Sequence, residues 1–199
     1  MPKAAFGQTR RQCLQRDSIW LLASRTASST QLGGQVAGSF DRVGTMEAYD
    51  PVADTWTTNA PMPTARKLLA VGVVNGILYA IGGCADNDCG SLLSTVEAYD
   101  PVSNTWTNKA PIPTPRREFV VGVVNGILYA VGGYQGPGSS PITSVQAYDP
   151  VSDTWTNKAP MPTAQNYTAA GVVNGILYVM GCNNTPNTGL THINWRGCV

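Results

Sequence analysis

Apolar residues in this chain fall in short consecutive runs, divided by polar breaks rich in Gly and Pro, and the runs return at a fixed spacing. The segment VVNGILY occurs at 73–79, 123–129 and 172–178. Between its copies stand AYDPV at 48–52, 98–102 and 147–151, TWT at 55–57, 105–107 and 154–156, and AP[MI]PT at 60–64, 110–114 and 159–163. A period of about fifty residues marks a repeat architecture, in which each unit buries its faces against its neighbours. Within residues 66–112, the run Ala70 to Val74 is followed by Asn75-Gly76 and then Ile77 to Ile81. Asn-Gly accepts the positive φ of a type I′ turn at both central positions, so the two runs predict a tight hairpin. The same hairpin is expected around Asn125-Gly126 and Asn174-Gly175. Both strands are apolar at successive residues, without alternation, which predicts burial on both faces of the sheet.

Gly82-Gly83 closes the second strand, and glycine there lets another backbone or a ring come close. A variable loop, Cys84 to Ser94, leads to a third strand, Thr95 to Tyr99. Asp100-Pro101-Val102-Ser103-Asn104 reads as a turn, since Pro presets φ and Asp and Asn bond nearby amides. A fourth strand, Thr105 to Lys109, ends in polar residues and is followed by Pro111 and Pro113, as suits a sheet edge. Each unit is therefore a four-stranded antiparallel meander with apolar strands first and a polar edge last.

A strand ending in Gly-Gly, a variable loop, then Tyr, six residues and Trp resembles the kelch repeat. The residues carrying the likeness are Gly82, Gly83, Tyr99 and Trp106, again Gly132, Gly133, Tyr148 and Trp155, and in the preceding unit Tyr49 and Trp56. The resemblance implies an all-β fold of kelch β-propeller blades, first strand innermost, with these residues structural and packed between blades. On this reading residues 1–32 are a non-repetitive, disordered segment, and 33–64 hold the third and fourth strands of a partial blade. Residues 65–113 and 114–162 are full repeats, 163–182 hold the first and second strands of another partial blade, and 183–199 are an irregular tail without an AYDP turn. Twelve strands, about three blade-equivalents, are fewer than the four to eight blades of typical propellers. The expectation is an incomplete or oligomer-completed propeller: a fragment of a longer array without independent function, or a homodimer whose partial blades combine into a six-bladed ring.

Composition narrows the partners. A net charge of +1 gives no electrostatic basis for nucleic acid or an anionic membrane, and charged residues make up only 13%. No apolar run approaches the ~18 residues of a membrane span. Cys84 and Cys89 bracket one loop and are able to bridge, but five cysteines give no even framework, and without a CxxC pair no zinc site is expected. Asp86-Asn87-Asp88 is too short for a calcium loop of the EF-hand type and reads as a solvated turn. The single histidine, His192, lies in the tail, so no catalytic constellation, metal or cofactor is expected.

Units differ most in the loop after the glycine pair and at the start of the first strand, and loops on a rigid scaffold collect binding residues. These regions nominate Arg66, Arg116, Arg117, Tyr134, Gln135, Asn166 and Tyr167 as binding candidates. In peptide-binding kelch proteins both regions line one face, where arginines meet acidic ligands; Arg66 and Arg116 match that arginine, whereas Gln165 does not. An arginine that only ties the strand to a neighbouring loop is the plainer reading. The expected function is a non-catalytic module binding a protein or peptide, with a carbohydrate-binding or carbohydrate-isomerising propeller as the alternative.

Overall fold

In the computed structural model, residues 19–23, 28–32 and 43–182 are described, apart from the side chains of the first two segments, Tyr167 and Cys182. Fourteen strands and no helix occupy them: β1 (Ile19–Ala23), β2 (Ser28–Leu32), β3 (Met46–Asp50), β4 (Thr55–Asn59), β5 (Ala70–Val74), β6 (Ile77–Ile81), β7 (Val96–Asp100), β8 (Thr105–Lys109), β9 (Val120–Val124), β10 (Ile127–Val131), β11 (Val145–Asp149), β12 (Thr154–Lys158), β13 (Asn166–Val173) and β14 (Ile176–Cys182). They form three four-stranded antiparallel sheets in sequence order, β1 to β4, β5 to β8 and β9 to β12, and a two-stranded sheet of β13 and β14. The innermost strands β1, β5, β9 and β13 neighbour one another in turn, as in propeller blades.

The expected hairpins form as the turn chemistry requires. Asn75 and Gly76 adopt φ of 52° and 80°, Asn125 and Gly126 51° and 79°, and Asn174 and Gly175 50° and 76°. At the meander turns on the same end of the blades, Asp50, Asp100 and Asp149 accept hydrogen bonds from the amides of Val52, Val102 and Val151 at 2.8 to 2.9 Å.

One boundary differs from the sequence reading. The segment 1–32 was expected to lie outside the array, yet β1 and β2 fall within it and complete the first blade, with Leu32 opposite Met46 and Ser29 opposite Tyr49. Its residues, IWLLA and SSTQL, share no motif with the other inner strands, and backbone hydrogen bonding imposes no such motif. The pairing edge of β3 is thus filled from within the chain, which removes the open edge on which a blade shared between two copies would depend. The tail 183–199 lies outside the described residues.

The core lies between sheets. Leu69, Val71, Leu78 and Ala80 meet Met46 and Met62 of the first blade, and Tyr79, Ile81, Val96 and Ala98 meet Phe119, Leu128 and Tyr148 of the third. Close approach depends on a glycine at the middle of each inner strand: a Cβ on Gly72 would collide with Leu128, and one on Gly122 with Leu177. Gly171, at the same position in β13, has open space in front of it. The face it shares is exposed accordingly: Tyr178 is 49% accessible, whereas its counterpart Tyr79 is 5%.

Two predictions follow from this packing. Gly72→Ala should destabilise by roughly 1–3 kcal/mol through overpacking, while Gly171→Ala should be neutral or stabilise by up to about 1 kcal/mol; urea unfolding of both variants compares them. The turn carboxylates of Asp100 and Asp149 are held below their ordinary value of 3.8 by the amides they accept from, chiefly those of Val102 and Val151. A depressed acid stabilises the fold above its unfolded pKa and loses that contribution as pH falls through the folded one. Thermal stability should therefore decline below about pH 4, and Asp100→Asn combined with Asp149→Asn should flatten the decline.

Candidate functional site

Straps entering the inner strands (65–68, 115–118 and 164–167) and loops after the glycine pairs (84–94 and 134–143) emerge at one end of the blades, opposite the Asn-Gly turns. Each loop starts by pairing with its strap: Cys84 exchanges backbone hydrogen bonds with Lys67, and Tyr134 with Arg117. Neighbouring blades are stitched at the same end, where Gly83 N–H donates to Arg116 O at 2.9 Å and Gly133 N–H to Gln165 O at 3.0 Å. Gly82 and Gly132 have φ of 61° and 68°, and a Cβ on either would press on the next strap's carbonyl, at Arg116 and Gln165. The glycine pair is thus fixed by close approach in a left-handed conformation.

Arg66 and Arg116 do not belong to the surface. Both are fully buried and cross their own blade from strap to third strand. Arg66 Nη2 donates to Glu97 Oε2 at 2.6 Å and Nη1 to Thr95 O at 2.9 Å. Arg116 makes the same crossing with neutral partners, Gln146 Oε1 at 2.8 Å, Ser144 Oγ at 2.9 Å and Gly132 O at 3.1 Å. Burial draws the Arg116 pKa down to about 10, and it lowers that of Arg66 while Glu97 opposes the shift. Both remain cations at neutral pH. The expectation that they contact an acidic ligand is corrected: their donors are spent inside the blades.

The aromatic motif residues are structural in the same way. Trp106 Nε1 donates to Ala60 O of the preceding blade and Trp155 Nε1 to Ala110 O, each at 2.9 Å. Tyr49, Tyr99 and Tyr148 stack against Trp56, Trp106 and Trp155 with ring centres 5.0 to 5.2 Å apart.

Of the other candidates, the structure brings three together. The Arg117 guanidinium lies 5.2 Å from the centre of the Tyr134 ring, and Gln135 is exposed beside it. Glu118, which sequence reading passed over, joins them through an ion pair with Arg117. Its own φ of 56° turns the chain, and its N–H donates to Leu68 O of the previous strap at 3.2 Å. Arg117 Nε and Glu118 Oε2 are buried atoms with no hydrogen-bond partner among the described residues. Asn166 is buried, against expectation, because it opens β13 opposite Cys182; the Tyr167 side chain is outside the described set.

The second blade carries a different rim. Cys84 and Cys89 are disulfide-bonded, closing the loop that Tyr134 and Gln135 occupy in the third blade. Lys67 Nζ donates to Asn87 O at 2.9 Å, and Asp86 accepts from Ser91 N–H at 2.5 Å; hydrogen bonding from the Ser91 side chain first, and then from its N–H, holds the Asp86 carboxyl below the usual range. A groove of about 490 Å³ runs along the outer strands, lined by Thr64, Glu97, Trp106, Asn108 and Lys109 among others. Its carboxylate, Glu97, is already engaged by Arg66 and by Thr64 Oγ1 at 2.6 Å. Among the described residues no group of three or more His, Cys, Asp or Glu side chains could hold a metal ion.

Arg66→Ala should destabilise by about 3–5 kcal/mol, because it strands a buried carboxylate. Glu97→Gln should cost only about 1 kcal/mol, since Gln146 performs the same task in the next blade. Denaturant unfolding separates the two, and equal losses would contradict the assignment.

A family model for the kelch motif matches residues 65–113 and 115–162. Similar proteins include Kelch-like ECH-associated protein 1A of Danio rerio, 42% identical over 40 residues, or 20% of this chain and 7% of that protein. Kelch-like protein 35 of Mus musculus is 41% identical over 61 residues, 28% of this chain and 11% of the relative. An F-box/kelch-repeat protein of Arabidopsis thaliana is 38% identical over 66 residues, 31% and 17% of the two chains. The matches therefore span less than a fifth of these curated relatives' lengths. The solved structure of YjhT superposes with a TM-score of 0.65 at 18% identity, over 77% of this chain and 54% of that one, a likeness of fold. Glycine pair, stacked Tyr and Trp, four-stranded meander and matched family model agree: residues 65–113 and 115–162 of this chain are kelch motifs, set in a fold of propeller-type blades.

Proposed function

We propose that the chain is a non-catalytic binding module for a protein or peptide, engaged through the loop end of its blades. The observation that carries this reading is the rim formed by Arg117, Glu118, Tyr134 and Gln135. There the Arg117 guanidinium rests on the Tyr134 ring and pairs with the Glu118 carboxylate, while the Gln135 amide is exposed alongside. An exposed amide, both donor and acceptor, beside a ring suits a peptide group and the side chain next to it. Aromatic and arginine side chains also dominate the energetics of protein interfaces.

The charge preference shifts from the sequence reading. With Arg66 and Arg116 buried, the rim cation Arg117 is balanced by Glu118. Recognition then rests on hydrogen bonding and ring contact more than on attraction of an acidic ligand, so affinity should depend weakly on salt.

A displayed library of random peptides, selected on the purified chain, provides the test. Tyr134→Ala and Arg117→Ala should each weaken the selected peptides about thirty-fold, the ~2 kcal/mol of an interface hot spot, with thermal stability of the blades retained. Peptides that bind the double variant unchanged would count against this rim.

A further inference from the structure

Two loops hold the same place in adjoining blades, residues 84–94 in the second and 134–143 in the third, and the former carries the Cys84–Cys89 disulfide. Their frames are alike. Cys84 exchanges backbone hydrogen bonds with Lys67 as Tyr134 does with Arg117, and Leu93 N–H donates to Gly83 O as Ile142 N–H does to Gly133 O, both at 2.9 Å. The third blade keeps this frame without a disulfide, so the second does not need one to hold its loop on the strap. The crosslink spans five positions, and so short a ring restricts the unfolded chain less than a long one. What it does hold is the tip of the loop. Cys89 stands at a φ of 57°, a left-handed conformation that a residue with a Cβ adopts at a cost. Asp86 Oδ1 is buried without a hydrogen-bond partner among the described residues, a second cost of the closed tip. In return the tip offers the strap one acceptor, Asn87 O, which takes a hydrogen bond from Lys67 Nζ at 2.9 Å. No ion pair to Lys67 is present among the described residues, whereas its counterpart Arg117 pairs with Glu118.

We propose that the Cys84–Cys89 bond is a redox latch, which keeps Lys67 tied to the closed tip and releases it when a dithiol reduces the bond. Reduction proceeds by thiol–disulfide exchange. One reductant thiolate attacks Cys89 Sγ, between the exposed Asp88 and Gly90. The sulfur–sulfur bond breaks with its electron pair on Cys84, which takes up a proton. The second reductant thiol, losing its proton, displaces Cys89 as a thiolate that is protonated in turn. Two electrons and two protons thereby reach the protein, and the reductant leaves as a cyclic disulfide. Opening relaxes the Cys89 backbone, lets water reach Asp86 Oδ1 and carries Asn87 O away from Lys67. The strap pairing stays, as it does in the third blade, so the switch alters the rim and spares the scaffold. Oxidised, this rim has its cation tied to a carbonyl; reduced, it presents a free ammonium, which favours an anionic partner. The latch belongs to the second blade and does not depend on the peptide reading, which rests on the third.

Comparison of the full chain before and after dithiothreitol, in buffer without denaturant, tests the latch. Alkylation of Cys84 and Cys89, resolved by peptide mass spectrometry, should appear while the blades stay folded. The amides of Ala85 and Ser91 donate to Ser91 O and Asp86 Oδ2 in the closed tip. Their hydrogen exchange should quicken roughly tenfold or more on reduction. Acetylation of Lys67 should rise about threefold, as expected for the loss of one hydrogen bond. The amides of β6 should exchange at an unchanged rate, which reports an intact blade. Cys84→Ala combined with Cys89→Ala should show the same fast tip without any reductant. Alkylation that appears only together with loss of β6 protection would make the bond a structural staple and overturn the proposal. So would a reduced or doubly substituted chain whose tip amides and Lys67 behave as in the oxidised protein.

Discussion

Everything else in this structure depends on how closely one blade can approach the next. Leu128 sits where a Cβ on Gly72 would be, and Leu177 where one on Gly122 would be, so each inner strand offers a socket and the following blade the side chain that fills it. Interdigitation at that spacing is what excludes water from Tyr79, Ile81 and Val96, and apolar burial is the main favourable term in folding. A single blade has no such partner and could bury neither of its faces. The exposed face of β13 and β14, with Gly171 open and Met180 62% accessible, shows the same interface without a following sheet among the described residues.

Within the second and third blades the strap and third strand are held by a buried polar crossing, and the chain uses two chemistries for it. Arg66 has a full counter-charge in Glu97, whereas Arg116 is held by carbonyls, a hydroxyl and the Gln146 amide. A buried cation survives when nearly all its donors are used, whether or not the acceptor carries charge. This crossing has a functional consequence. It withdraws the two arginines from the loop end and leaves there the next residue along each strap, where Arg117 meets Tyr134 and Lys67 meets the disulfide-closed loop. The backbone ladder that binds strap to loop is the same in both blades, so the rim can diverge without disturbing the scaffold.

Much of the fold was legible in the residues because it rests on local chemistry. Asn-Gly hairpins, Asp-Pro turns, paired glycines and the Tyr and Trp ladder each depend on a conformation or a ring at a given position, and each formed where expected. The first two strands were not legible. They pair through the backbone while their side chains, IWLLA and SSTQL, carry none of the repeat. The candidate site was legible in part. Variation between units pointed to Arg117, Tyr134 and Gln135, but the same comparison could not tell an inward arginine from an outward one, because adjacent strap residues point in opposite directions.

Sequence alone therefore determined the unit, its four strands, its turns and the end of the blade at which units differ, since these follow from backbone preferences over a few residues. Only the tertiary structure decided which polar side chains are consumed by the scaffold and which stand at the rim. Arg66 and Arg117 lie in equivalent straps, one fully buried on Glu97 and the other at the rim on Tyr134. The difference is set by what lies across the blade, up to 31 positions away in the chain. Burial of a charge is decided by such distant partners, and the pattern of neighbouring residues does not contain them.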